Sequence, residues 1–272
     1  MSRADDRWRE QLEAWAIPED ILGAAPESPW GLSVECFRRR AEAGDRETTP
    51  TTLRALEALP VEGAVLDVGV GGGATSLPLA GRAASIVGVD AHPDMLEAFV
   101  GGAEKAGVAA RAVAGSWPEI ASEVEPVDVV VCGHVFYNVP ALAPFALALH
   151  DHARRRVVVE LTEHHPLDWM RDLWLRFHGL ERPDGPTADD ARAVLTELGL
   201  DAHREERTVV SRHGGGGFAS REDALHLIRR RLCLPADRDD EIAEALGGRL
   251  RRAGDLWDVG PEERTVVTLW WD

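Results

Sequence analysis

Cysteine is scarce: the 272 residues hold three, Cys36, Cys132 and Cys233, far apart and without CxxC spacing. An odd, scattered set excludes a disulfide framework and a cysteine zinc site, and it fits a reducing, cytoplasmic setting. Long apolar runs are missing too. None approaches the ~18 residues that a membrane-spanning helix needs. The charged start, Met1 to Glu10, leads into no apolar signal core, so a soluble protein is expected. Basic charge is the minority, with 30 Lys plus Arg against 47 Asp plus Glu and a formal charge of −17. A field of that sign repels phosphate backbones, so neither nucleic acid nor membrane is an expected partner. The basic runs at Arg38, Arg154 and Arg229 are short, separated triplets and read as solvated helix faces or ends. No HExxH or HxxxH spacing occurs, and the adjacent His164 and His165 diverge on a turn, so no metal is expected.

What is present is a chain able to bury a core, with 44% hydrophobic residues. Residues 1–50 read as a separate helical segment, a lid. Trp8, Leu12 and Trp15 share one helical face, and a second helix is expected over Leu32–Ala43 with Phe37 facing inward. Thr49-Pro50-Thr51 opens a third helix that runs to about Leu59. From Val61 strands and helices alternate. Strands are expected at Ala64–Val68, Ser85–Asp90, Ala109–Ala114, Val127–Cys132 and Arg156–Leu161. Helices are expected from about Ala74, over Pro93–Ala106 and over Ala141–Ala153, and a further one is capped by Thr187. That alternation predicts right-handed βαβ units and a doubly wound parallel sheet. Two more strands, Arg204–Val210 and Arg264–Trp271, enclose an insertion at about 212–260. It begins with four glycines, and helices are expected over Arg221–Leu234 and Asp239–Ala253. The insertion reads as a cap on the substrate side, and residues 51–272 as one domain.

The chemistry concentrates after the first strand. Asp67-Val68-Gly69-Val70-Gly71-Gly72-Gly73-Ala74 follows a strand, and glycines there let the backbone approach a ligand closely. Gly69, Gly71 and Ala74 alone would also fit a dinucleotide fingerprint, with Asp90 at the spacing of a ribose-binding carboxylate. Asp67 argues against that ligand, because a carboxylate at the strand tip would repel a pyrophosphate. It would favour a cation. The run Asp67-x-Gly69-x-Gly71-Gly72-Gly73 resembles the first motif of the class I S-adenosylmethionine (SAM)-dependent methyltransferases. Gly88-Val89-Asp90 resembles their acidic second motif, Gly115 to Glu119 the segment framing adenine, and Asp128 to His134 their fourth strand.

The resemblance runs in order from about Thr52 to Val210, with Arg264–Trp271 matching the family's reversed last strand. It implies an α/β, doubly wound, seven-stranded, mostly parallel sheet that binds SAM and releases S-adenosylhomocysteine (SAH). By that resemblance Asp67, Gly69, Gly71 and Gly73 face the methionine part, Asp90 the ribose, and Ser116 and Trp117 the adenine, with His134 alongside. In a doubly wound sheet ligands lie beyond the strands' carboxyl ends. The fourth strand's tip carries His134, Tyr137 and Asn138, and the fifth carries Glu160, Glu163 and His164. His134, Tyr137 or His164 could act as base, each weighed against a purely structural role. Trp30, Phe37, Tyr137, Asn138, Glu163 and Trp174 are candidates to line the acceptor site, and core packing is the competing role for the aromatic ones. The expected activity is methyl transfer to an oxygen or nitrogen of a small molecule. The rival expectations are a protein or RNA methyltransferase, a SAM-binding module without transfer and, more distantly, an NAD enzyme.

Overall fold

Strand β1 (Gly63–Val68) is an almost unbroken buried run, and it forms the centre of a seven-stranded sheet. The structure, a computed structural model, describes residues 3–30, 48–210 and 217–272. The expected helix at Leu32–Ala43, with Cys36 and Phe37, therefore lies outside the described residues. The sheet order is β3-β2-β1-β4-β5-β9-β6, with β2 at Ala83–Asp90, β3 at Ala109–Ala114 and β4 at Val127–Gly133. β5 is Ala153–Thr162, β6 is His203–Val210 and β9 is Glu263–Trp271. β9 runs antiparallel to both of its neighbours, and the pairs from β3 to β5 are parallel. This is the mostly parallel α/β sheet with a reversed last strand that the sequence implied.

Helices cover both faces. Helix α1 (Arg3–Glu13) packs against α5 (Leu142–Asp151) and α7 (Ala188–Glu197) on one face, burying Trp8, Phe136, Phe145 and Trp271. On the other face α3 (Pro50–Ala58) and α4 (Pro93–Ala106) cover Val65, Ile86, Val129, Val131 and Val158. Strand alternation then places Asp67, Gly133 and Glu160 on the α3 side, each two residues beyond a core valine. Helix starts follow their chemistry: Thr49 caps α3, and Thr187 and Asp190 form a reciprocal capping box on α7.

A third apolar cluster stands apart from the sheet. It joins α6 (Arg171–His178), α8 (Arg221–Arg231), α9 (Asp239–Leu246) and Val259 of a small hairpin, with Ile17 and Ile21 near α2 (Glu19–Ala24) against it. Leu173, Trp174, Leu225, Ile228 and Ile242 are its centre. The segments that build it leave the sheet at the carboxyl ends of β5 and β6, the end where ligands bind.

Two expected elements differ. No α-helix follows the glycine turn; only a single 3-10 turn forms at Leu77–Leu79. Pro78 supplies no N–H and its ring would crowd the carbonyl one turn back, and the preceding glycines favour helix poorly. The helix expected over Asp239–Ala253 ends at Leu246, because Gly247 turns the chain at φ +52°. Strands β7 (Leu250–Ala253) and β8 (Leu256–Val259) then pair as a hairpin.

Candidate active site

The tip of β1 brings a carboxylate into the interior. Asp67 is 1% exposed, and neither of its oxygens has a hydrogen-bond partner. Burial pushes its pKa up to about 7, Ser76 beside it pulls the other way, and the charge of Asp90 adds to the rise. An orphaned buried carboxylate is costly, and a cation offsets that cost. The turn that follows is bare by necessity. Gly69 has φ +73°, and a Cβ there would come within 2.3 Å of Val135 Cγ2. Gly71 has φ +50° and opens onto free space. Gly73 closes the turn, its N–H donating to the Val70 carbonyl at 2.8 Å. The turn thus lies directly against the tip of β4 while leaving its outer side clear for a ligand.

Asp90 ends β2 and helps hold this turn. Its carboxylate accepts the Gly71 N–H at 3.0 Å and the His92 N–H at 2.9 Å. The His92 Nδ1 lies 3.2 Å from the same carboxylate; with about four lone-pair sites, Asp90 keeps one for a hydroxyl donor, or two when the His92 ring turns away. Ser116 is exposed at the end of β3. Trp117 is not: it is buried in the core under α5, edge-on to His152 at 4.8 Å. Core packing accounts for Trp117, whose indole N–H has no partner.

The second group assembles across three adjacent strand tips. Gly133 of β4 pairs with Glu160 of β5, which pairs with Thr268 of β9. His134 follows in a left-handed conformation at φ +59°, strained for a residue with a side chain, and its N–H donates to the Glu160 carbonyl at 2.6 Å. Its imidazole Nε2 lies 3.2 Å from Glu160 Oε1, with His134 51% exposed and Glu160 14%. The other Glu160 oxygen accepts the Thr51 hydroxyl at 2.5 Å, and Thr51 and Thr268 hydroxyls are 2.8 Å apart. Burial alone would raise the Glu160 pKa; the bonds from His134 and Thr51, with Arg207 nearby, hold it below the ordinary value. The result is an ionised carboxylate gripping one nitrogen of a half-exposed imidazole. The sequence places Glu160 at the fifth strand's tip without a role of its own, and Thr51 only as part of a helix start. The signal was there: Glu160 is a lone acid in the apolar run Val157-Val158-Val159-Glu160-Leu161.

Several expected site residues are occupied elsewhere. Tyr137 donates its hydroxyl to the Thr162 carbonyl at 2.7 Å and the Glu163 carbonyl at 3.2 Å. Burial, with the charges of Glu163, Asp190 and Asp168, pushes its pKa far up, so Tyr137 is a packing residue and not a base. Glu163 is tied to Arg204 Nη2 at 2.5 Å across the sheet edge. Trp174 sits inside the third cluster under the Arg182 guanidinium, 4.1 Å from its ring centroid, so it forms no open wall. His164, Asn138 and Trp30 are exposed. Among the described residues no group of three His, Cys, Asp or Glu is arranged to hold a metal, and no helix is long and apolar enough to cross a membrane.

Comparison with known proteins agrees with this geometry. Residues 65–156 match the family model described as a methyltransferase domain. No curated protein matches the chain. Among solved structures, BH2331 of Bacillus halodurans C-125, assigned to the methyltransferases, superposes with a TM-score of 0.52 at 16% identity, covering 82% of this chain and 98% of that one. The magnesium protoporphyrin IX methyltransferase of Synechocystis PCC 6803, with SAH bound, gives a TM-score of 0.51 at 16% identity over 98% of this chain and 97% of that one. At such identities these likenesses show the fold. Residues 65–156 thus form a methyltransferase domain, and the fold and the motif from Asp67 to Gly73 agree with SAM as its cofactor. Its residues fit that cofactor, since Asp67 is a buried carboxylate without a partner, Asp90 keeps acceptor capacity and Gly71 leaves open space.

Proposed function

We propose that this enzyme methylates an oxygen, or secondarily a nitrogen, of a small-molecule acceptor, with His134 removing the acceptor's proton. The observation that carries this reading is the His134–Glu160 pair: a strained, half-exposed imidazole, oriented by a buried carboxylate, beside the glycine turn. Bound SAM would lie between Asp67 and Asp90 and supply an electrophilic methyl group for an in-line displacement. Glu160 faces Nε2, which puts the ring proton there and leaves Nδ1 as the nitrogen free to accept one. As His134 gains charge, the ionised Glu160 stabilises it, while Thr51 and Thr268 keep the carboxylate in place. This is the nucleophile-base-orienter logic with the acceptor's own heteroatom as nucleophile.

A small acceptor is supported by what surrounds the strand tips. The third cluster and the loops after β4 and β5 rise on that side, and helix α1 is fastened to the β4 loop. We read residues 1–50 and 212–260 as cap segments of one SAM-binding domain. The net charge of −17 weighs against nucleic acid, and the free Cys132 and Cys233 suit a reducing cytoplasm. The fold also serves a small-molecule methyltransferase in the Synechocystis protein.

Titration calorimetry with SAM, SAH and NAD tests the reading first. Stoichiometric SAH binding that is lost in Asp90→Ala and kept within about twofold in His134→Gln is the expected pattern, followed by transfer to hydroxylated small molecules that falls about 10²–10⁴-fold in His134→Gln. Binding of NAD in preference to both SAM and SAH, or transfer indifferent to His134, would overturn it.

A further inference from the structure

A buried cation that has no counter-ion among the described residues lies where the third cluster, the N-terminal segment and the loop after β5 meet. Arg182 is 5% exposed. Its Nη1 donates to the carbonyls of Trp15 at 3.0 Å and Ala16 at 2.9 Å. Among the described residues no acceptor reaches Nε or Nη2, and no carboxylate pairs with the guanidinium. Three of its five N–H donors are therefore unspent.

Its neighbours supply no negative charge. The guanidinium lies 4.1 Å from the Trp174 ring centroid and 5.9 Å from that of Trp15. Trp15 stacks on His165 at 4.0 Å. Burial, reinforced by the Arg182 charge, brings the His165 pKa down to about 4, so that ring is neutral at physiological pH. Burial raises the Cys233 thiol, which therefore keeps its proton. The two carbonyls lie past the end of α1, carry only the ordinary peptide dipole and use only one nitrogen of the fork. A latch onto two carbonyls needs two neutral donors; a buried full charge with three donors left over exceeds that task.

Ring contacts connect this cation to the loops that follow β4 and β5. His165 meets Tyr137 edge-on at 5.5 Å, and Tyr137 lies in the turn that directly follows His134. Trp174 packs directly against the guanidinium and Trp15, stacked on His165, lies beside it, so the rings bordering the cation are flat faces that favour a planar partner.

We propose that Arg182 anchors a carboxylate of the acceptor, making the substrate class a planar, hydroxylated organic acid whose hydroxyl is presented toward His134. The guanidinium fork matches a carboxylate bidentately, and Nε with Nη2 is the free edge that would do so. The proposal rests on the methyltransferase reading only for calling the ligand an acceptor; the charge argument stands without it.

The test is calorimetry on the SAH-loaded full chain, with 4-hydroxybenzoate and 4-hydroxycinnamate as probes and their neutral amides as controls. At least one acid is expected to bind about tenfold or more tighter than its amide. That preference should vanish in Arg182→Met and weaken severalfold in Arg182→Lys, whose point charge cannot fork. Unchanged SAH affinity certifies the fold of each variant, and if Arg182→Met does not fold, Arg182→Lys carries the comparison. Equal affinities of acid and amide in the wild type, or an acid preference indifferent to Arg182, would overturn the proposal. Failure of the wild type to bind SAH would instead strike the parent reading, and the acid–amide comparison is then made on the ligand-free protein.

Discussion

Asp67 carries the sharpest consequence at the scale of one residue. In the fold its proton is held up to about pH 7, against 3.8 ordinarily. The folded state thus binds more protons than the unfolded one across that window, and stability falls as pH rises through it. A shift of about three units corresponds to a span on the order of 4 kcal/mol. Asp67→Asn should flatten that slope in urea denaturation curves taken between pH 4.5 and 8; an unchanged slope would mean the carboxylate is already paired. The same proton links to binding. A cationic ligand ionises Asp67, so SAM should bind more tightly as pH rises toward 7 and release a proton below it. Calorimetry in two buffers of different ionisation heat reads that proton directly. Gly69→Ala should be severe for a different reason, because its Cβ would overlap Val135 and its φ is left-handed. We expect loss of SAH binding in that variant, measured beside a circular dichroism check of the fold.

At the scale of elements, helix α1 is held by indole anchors rather than by its own propensity. Trp8 is fully buried, donates its indole N–H to the Val139 carbonyl at 2.9 Å and stacks on Tyr137 at 5.5 Å. Trp15, just past the helix, donates to the Gly185 carbonyl at 2.7 Å. The buried Asp5 carboxylate accepts the Ala143 N–H at the start of α5. Trp8→Ala should cost about 3–5 kcal/mol through the cavity it leaves, and Trp8→Phe about 1–2 through the unmatched carbonyl, both read by urea midpoint. The helix through Trp8 and Leu12 was legible along the chain, though it ends at Glu13 and leaves Trp15 outside. Its docking on the segments leading into α5 and α7 was not, since the partners lie more than 130 positions away. The missing helix after the glycine turn shows the converse: Pro78 was visible, and its local veto outweighed the family's pattern.

For the whole molecule, two buried groups titrate in opposite senses. His165 has its pKa depressed to about 4 from 6.5, so its contribution is complete above pH 6.5 and is lost as pH falls toward 4. Asp67 works the other way, losing stability as pH rises toward 7. Together they flatten the ligand-free profile between about pH 4 and 6.5. His165→Phe should remove the acid limb and leave a stability that declines steadily with pH, as thermal melts across that range would show. A symmetric loss at both ends in that variant would contradict the assignment. Saturating SAH offers a second check, since by mass action it should raise the melting temperature more for wild type than for Asp90→Ala.

The sequence by itself determined the parallel α/β alternation and the glycine turn with its two acids, because alternating apolar runs, glycines and spaced acids are local signals; the seven strands and the reversed last one came from the family resemblance. Asp67 and Asp90 were legible for that reason. Tertiary structure decided the rest. Glu160 meets His134 only because β4 and β5 pair in one register, with Thr51 brought in by α3 and Thr268 by β9. Tyr137 as a base and Glu163 as an acceptor-lining group are occupied by partners their positions did not announce: two backbone carbonyls and Arg204. The isolation of the Arg182 charge likewise depends on what surrounds it in space. Burial and partnership decide which polar groups are free to react, and both are properties of the packed chain rather than of its order.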